Sequence, residues 1–126
     1  MKITPVLVVP AIEPLLPLWD ALGFTRSVEV PHGDALGFVI LTKESLEVML
    51  QTESSVRGDE PKVLEGPKPI GASALFIEVE DLDAIVGRLP AGADIFVERR
   101  TTPYGATETF VRDAAGNVLV FAQFAA

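Results

Sequence analysis

Apolar positions along the 126-residue chain fall into short runs of two kinds. "KITPVLVV" (2–9) is brief and Val-rich, which reads as a strand. In "AIEPLLPLWDALGF" (11–24), Ile12, Leu15, Leu16, Trp19 and Leu22 recur at helical spacing. Pro14 and Pro17 are tolerated only near a helix start, so an irregular first turn is expected. Gly23 is a suitable C-terminal stop. Three strand-like runs follow, at 24–30, 35–42 and 45–52, separated by the turns "PHGD" (31–34) and "KES" (43–45). The pattern then resumes with a strand at 73–79. A helix over 81–90 has Asp81 as its N-cap and Leu82, Ile85, Val86 and Leu89 as its buried stripe. Strands at 94–100, 107–113 and 117–124 complete the chain.

The order is therefore strand, helix, three strands, twice over, with an internal period of about 70 residues. The fold class is α+β, a single domain of two βαβββ units, 1–52 and 72–126. Residues 53–71 between them, rich in charge, Pro and Gly, read as a linker or mobile loop. The last strand is unusual. Val118, Leu119, Val120, Phe121 and Ala122 are apolar on both faces, so something other than solvent is expected on each side.

With 48% apolar and 22% charged residues the chain is globular rather than disordered. No apolar run approaches the roughly 20 residues of a membrane span, and no basic-then-apolar leader is visible, so neither a membrane nor a signal peptide is expected. Zero cysteines exclude disulfides, thiolate metal sites and thiol nucleophiles, and suit a cytoplasmic location. A net charge of −8 argues against nucleic acid, whose binding rests on Lys and Arg. It is compatible with a cationic ligand, although solubility alone also explains it.

Three stretches carry a family resemblance. "TPVLVV…PLWDALGF" is similar to the first strand and helix of the vicinal-oxygen-chelate superfamily. "FIEVEDLDAIVGRL" is similar to its second strand-to-helix entry, and "PYGATETFVRDAAGN" to its last hairpin. The group includes glyoxalase I, extradiol dioxygenases, fosfomycin resistance enzymes and bleomycin resistance proteins. The resemblance implies sheets curled around a cavity, with a divalent metal in the enzymes. It places the metal-ligand positions at Thr4, Ala74 and Val120, and at Glu47 if "LEV" is the matching triplet, or Val48 if the count runs back from Gln51. Thr, Ala and Val are poor ligands for a catalytic divalent ion. No metal or other cofactor is therefore expected. The resemblance is closest in type to the metal-free bleomycin-resistance branch, whose members form dimers and sequester cationic drugs in a cleft.

Candidate ligand-binding residues are Phe38, Glu47, Met49, Tyr104, Glu108, Phe110 and Val120. Glu47 shares a strand face with Met49 and Gln51. It can receive a ligand cation or act as a base, or it can pair with a neighbouring Arg. Tyr104 is in a loop that rims the cavity in the family, or it anchors that loop. Phe38 and Phe110 can line a cavity or a sealed core, and Glu108 and Arg112 a ligand site or a surface pair. Trp19 is expected in the core. His32, the one histidine, is expected as a solvated turn residue, Arg99 and Arg100 as solvated cations, and Asp81 and Asp83 as charges at a helix N-terminus. No Ser-His-Asp arrangement and no phosphate loop is evident.

Three readings follow. The first is a homodimeric protein that sequesters a small, cationic or aromatic molecule, with no catalytic residue. The second is a metal-dependent or Glu47-dependent lyase, isomerase or dioxygenase. The third is a structural or regulatory domain whose cavity is filled by its own side chains.

Overall fold

A computed structural model describes residues 1–68 and 72–125. The chain divides into two compact units, Met1–Ile70 and Gly71–Ala126. The first contains strands β1 (Val6–Val9), β2 (Thr25–His32), β3 (Ala35–Lys43) and β4 (Leu46–Thr52), with helices α1 (Leu16–Ala21) and α2 (Glu53–Asp59). The second contains β5 (Ala74–Glu78), α3 (Leu82–Arg88), β6 (Asp94–Thr101), β7 (Ala106–Arg112) and β8 (Val118–Phe124). The fold is α+β, with two open four-stranded mixed sheets ordered β1-β4-β3-β2 and β5-β8-β7-β6. In each, the first strand pairs parallel with the last and the rest pair antiparallel.

Alternation along the strands separates two faces of the first sheet. Leu7, Val9, Val39, Leu41, Val48 and Leu50 are buried. They form the core with Ile12, Leu15, Leu16, Leu18, Trp19 and Leu22 from the helical segment and Val56 from α2. Trp19 is a core residue as its spacing implies, edge-on to Phe24 at 5.0 Å. Polar links hold the helical segment to its sheet: Leu36 donates its backbone N–H to Glu13, and Lys43 donates to the Leu22 carbonyl. Pro14 and Pro17 shape the entry as expected. Each lacks a backbone N–H, so the helix opens with a 3-10 turn at Glu13–Leu15 before α1 begins.

In the second unit, Val111, Leu119, Phe121 and Leu82 are buried together with Thr109. Asp81 caps α3 by accepting from the Ala84 N–H, and the Leu82 N–H is received by the Gln123 side chain of β8. The β7–β8 hairpin turns through Asp113–Asn117, with Gly116 in the left-handed region at φ 86°. Both faces of β8 are indeed shielded: Leu119 and Phe121 on one, Val120 and Ala122 on the other.

Two expectations need correction. The segment 53–71 is not slack over its described part. Thr52 caps α2 by accepting from the Ser55 N–H, Val56 is buried, and a further 3-10 turn covers Pro61–Leu64. Charge and Gly content concealed one helical turn with an N-cap and an apolar anchor. Residues 69–71 lie outside the described residues. The "PHGD" turn is also tighter than expected. β2 continues through His32, which pairs with Ala35, leaving Gly33 and Asp34 as the turn. Among the described residues no helix is long and apolar enough to cross a membrane.

Candidate functional site

An open cleft of about 550 Å³ lies in the first unit, lined by Val30, His32, Phe38, Gln51, Ser55, Gly58 and Asp59. The sheet supplies its floor. Val30 pairs with Phe38, and Phe38 with Gln51, so the three project from one face across adjacent strands. Helix α2 supplies the wall through Ser55, Gly58 and Asp59. The Gln51 amide nitrogen donates to the Ser55 hydroxyl at 3.2 Å, leaving the amide carbonyl oxygen to accept from a ligand. The His32 Nε2 is 3.1 Å from the Ser54 hydroxyl. The lining sets the apolar Val30 and Phe38 beside the polar His32, Gln51, Ser55 and Asp59, groups that can seat and orient a small molecule.

Of the seven candidate residues, the structure brings only Phe38 into this cleft. His32, expected as a solvated turn residue, is exposed as expected but lines the cleft. Ser55, Gly58 and Asp59 were missed because they fell within the supposed linker. The signal available for them was Thr52 followed by Glu53 and Val56, an N-cap, an acidic first turn and an apolar anchor.

Glu47 and Met49 share the same sheet face further along β4. Glu47 accepts from the Thr4 hydroxyl at 3.1 Å and pairs with Lys2 at 3.1 Å. The Lys2 hydrogen bond, then the Thr4 hydrogen bond and the Lys2 charge, hold its carboxyl below the ordinary value against an opposing effect of burial. A carboxylate stabilised in this way is a weaker general base, which weighs against Glu47 as a metal-free catalyst. Val48, the other candidate for its position, points into the core.

In the second unit the remaining candidates form one cluster. Glu108 is fully buried. It accepts from Arg100 at 2.9 Å and from the Tyr104 hydroxyl. The small Ala122 stands opposite Glu108 in the ladder. The hydrogen bond to Glu108 pushes the Tyr104 hydroxyl above its ordinary pKa, with burial and the carboxylate charge adding to it. Arg100 lies over Phe110 at 4.5 Å and Arg112 over Phe96 at 4.1 Å, and the two Phe rings meet edge-on at 5.8 Å. Arg100, expected as a solvated cation, is therefore tied to a buried carboxylate. Arg99 pairs with Asp83 at 2.7 Å on the surface. Val120 is buried opposite Phe110 and beside Phe76.

The ladders also test the metal positions. Val6 pairs with Met49 in the first sheet and Phe76 with Val120 in the second. Thr4 and Ala74 each stand two residues before those pairs. By register, then, the first-sheet counterpart of Val120 is Met49, with Glu47 one step away on the same face. Thr4 and Met49 in the first unit offer a hydroxyl and a thioether, and Ala74 and Val120 in the second offer no donor side chain, so neither pair fits a divalent ion. Adding Glu47 supplies a single carboxylate already bound to Lys2. Among the described residues no three His, Asp or Glu side chains converge as a metal site.

A family model described as the Glyoxalase/Bleomycin resistance protein/Dioxygenase superfamily matches residues 7–121. No curated protein matches the sequence. Solved structures do. TioX from Micromonospora sp. ML1 is 20% identical, with 99% of each chain covered and a TM-score of 0.75. A family enzyme from Burkholderia phytofirmans PsJN is 16% identical, with 97% of each chain covered and a TM-score of 0.76. Lactoylglutathione lyase from Agrobacterium tumefaciens is 14% identical, covering 98% of this chain and 92% of its own, with a TM-score of 0.75. At these identities the likeness is one of fold.

Proposed function

Because this chain belongs to the Glyoxalase/Bleomycin resistance protein/Dioxygenase superfamily, we propose that it binds and sequesters a small organic molecule in the cytoplasm, without a divalent metal and without bond chemistry, as the bleomycin-resistance branch does. The observation that carries this reading is the first-unit cleft, with an apolar floor of Val30 and Phe38 and polar groups from Gln51, Ser55 and Asp59. The poor donors at Thr4 and Met49 in the first unit, and at Ala74 and Val120 in the second, support the metal-free part. Glu47, held by Lys2 and Thr4, supports the non-catalytic part.

A second copy of the chain covers part of the exposed sheet faces in this reading. In the first unit Val6, Val8, Val28 and Val30 are between 39% and 47% exposed, and in the second Phe76 and Phe96 are 53% and 39% exposed. Apolar surface gathered on one face of a sheet marks an interaction site. Tyr104, Glu108, Phe110 and Val120 serve the second sheet face as supports for this surface or for the ligand.

Native mass spectrometry of protein purified without chelator or added metal tests the proposal. The expected result is a dimer, bare or with an organic adduct. One divalent ion per unit overturns the metal-free reading and favours a lyase, isomerase or dioxygenase. A bare monomer overturns the homodimer.

A further inference from the structure

We infer that the first-unit cleft selects an organic cation carried on a planar ring, with Asp59 as its counter-ion and the His32 imidazole as the ring that packs against it. The inference rests on the reading of this cleft as a ligand site and adds the ligand's chemistry and the residues that choose it.

Charge gives the first argument. Among the described residues Asp59 is the one carboxylate lining the cleft and has no ion-pair partner. The other polar groups add acceptors. The Gln51 carbonyl oxygen is left over once its amide nitrogen has bonded Ser55, and the Ser55 hydroxyl retains its own proton and a lone pair. Among the described residues no Lys or Arg lines the cleft. A carboxylate and a free amide carbonyl above Val30 and Phe38 match a ligand with N–H donors, positive charge and an apolar body. The chain's net charge of −8 raises the local concentration of such a ligand.

Packing gives the second argument. Two glycines flank His32, and neither has a positive φ, so backbone conformation is not what they supply. A Cβ at Gly37 would sit 2.5 Å from the His32 Cβ and 3.2 Å from the Ser55 Cβ. A Cβ at Gly58 would be 3.6 Å from the imidazole Cε1. Small residues on both sides admit the ring between β3 and α2, and Ser54 holds its Nε2. The imidazole is thereby placed against α2, in the cleft that Asp59 also lines. Specificity in this arrangement comes from a ring and a carboxylate lining one cleft, which rejects a ligand with the same ring and a negative charge.

His32 is the single histidine of the chain, so its ring signals in an NMR spectrum are unambiguous. Labelled protein is titrated with 2-naphthylmethylammonium and, separately, with 2-naphthoate, which has the same ring and the opposite charge. Only the cation is expected to shift the His32 ring signals, and Asp59→Asn weakens its binding about tenfold. Asp83→Asn, in α3 of the other unit, leaves binding unchanged. Equal binding of the two probes overturns the inference, as does an unshifted His32 or an undiminished affinity in the Asp59→Asn protein. Carry-over of a cellular adduct in Asp59→Asn, seen by native mass spectrometry with His32 unshifted, refutes this assignment while leaving sequestration intact. Absence of both adduct and probe binding refutes the two together.

Discussion

The glycines around His32 make a sharp prediction, because two opposing effects can be separated by position. Replacing Gly with Ala at a compatible site stabilises a protein by about 0.4–1 kcal/mol through the unfolded chain. At Gly37 the added methyl would approach the His32 Cβ to 2.5 Å. Carbon atoms are comfortable at about 3.5–4.0 Å, so the clash is more than 1 Å deep. The obstructing atom is next to the β2 backbone and cannot swing aside as a side-chain tip would. Overpacking of this kind costs about 1–3 kcal/mol, so Gly37→Ala should lose about 1–2 kcal/mol net. At Gly87, within α3, nothing lies within 4 Å of the same methyl. There the helix preference of Ala decides, and Gly87→Ala should gain about 0.5–1 kcal/mol. Gly58→Ala meets the imidazole at an ordinary 3.6 Å and should behave like Gly87→Ala. Urea titration followed by far-ultraviolet circular dichroism gives the three differences. At this chain length 1 kcal/mol moves the melting temperature by about 3–5 °C, so the order is also visible on heating. A Gly37→Ala protein as stable as the parent would refute the packing of His32 between β3 and α2. A destabilised Gly87→Ala would refute the open helical surface assigned to residue 87.

Two further outcomes follow from local geometry. Tyr104 is the one tyrosine, so the phenolate absorbance of the folded protein reports it alone. Its midpoint should lie above the ordinary value of 10.0 because Glu108 accepts its proton in a hydrogen bond, and Glu108→Gln should bring it down. The folded value exceeds the unfolded one, so this contribution to stability is complete below the unfolded value and is lost as pH rises through the folded one. A midpoint unmoved by Glu108→Gln contradicts the assigned bond. In the β3–β4 turn, Glu44 has φ 53°, a conformation that costs a side-chain-bearing residue about 1–2 kcal/mol. Glu44→Gly should therefore raise stability, by about 0.5–1 kcal/mol after the extra freedom of the unfolded chain is deducted, and equilibrium unfolding that shows a loss would contradict it.

The repeat of strand, helix and three strands was legible because each unit has a strongly patterned chain. Val-rich alternation fixed the strands, and the spacing from Ile12 to Leu22 fixed the first helix. Prolines at 14 and 17 announced the 3-10 entry. The last strand was legible as buried on both faces, though not what buries it. That depends on residues brought together only by the fold: Glu108 stands opposite Ala122 and Phe110 opposite Val120 in the β7–β8 ladder, and Arg100 and Tyr104 bond Glu108. Helix α2 was hidden by composition, since seven residues carry one buried side chain, Val56, and too little periodicity to be recognised. With α2 unseen, Asp59 and Ser55 were unplaceable, and His32 had no partner to distinguish it from a solvated turn residue.

Register decides how the family's metal positions are read. A triplet such as "LEV" matches a sequence pattern by resemblance, and a slip of one residue moves a side chain to the opposite face while a slip of two keeps the face. Val48 fails on the first ground, because it is buried in the core. Glu47 passes on face, and only the ladder separates it from Met49. Val6 opposite Met49 repeats Phe76 opposite Val120, so the two units are equivalent at those pairs. Met49 and Val120 then stand at equivalent places in the two sheets, both apolar. Glu47 is left as a half-buried carboxylate held by Lys2 and Thr4. The chemistry that remains in the first unit lies at the other end of β4, where Gln51 and helix α2 shape the cleft. The carboxylate that matters there is Asp59, eight residues beyond Gln51. A variant pair places the two ends in competition: Glu47→Gln should leave binding of the naphthyl cation unchanged, whereas Asp59→Asn should weaken it about tenfold. The reverse order, read by the same NMR titration, would return the site to the family's metal end of the strand and refute the cleft as the place of binding.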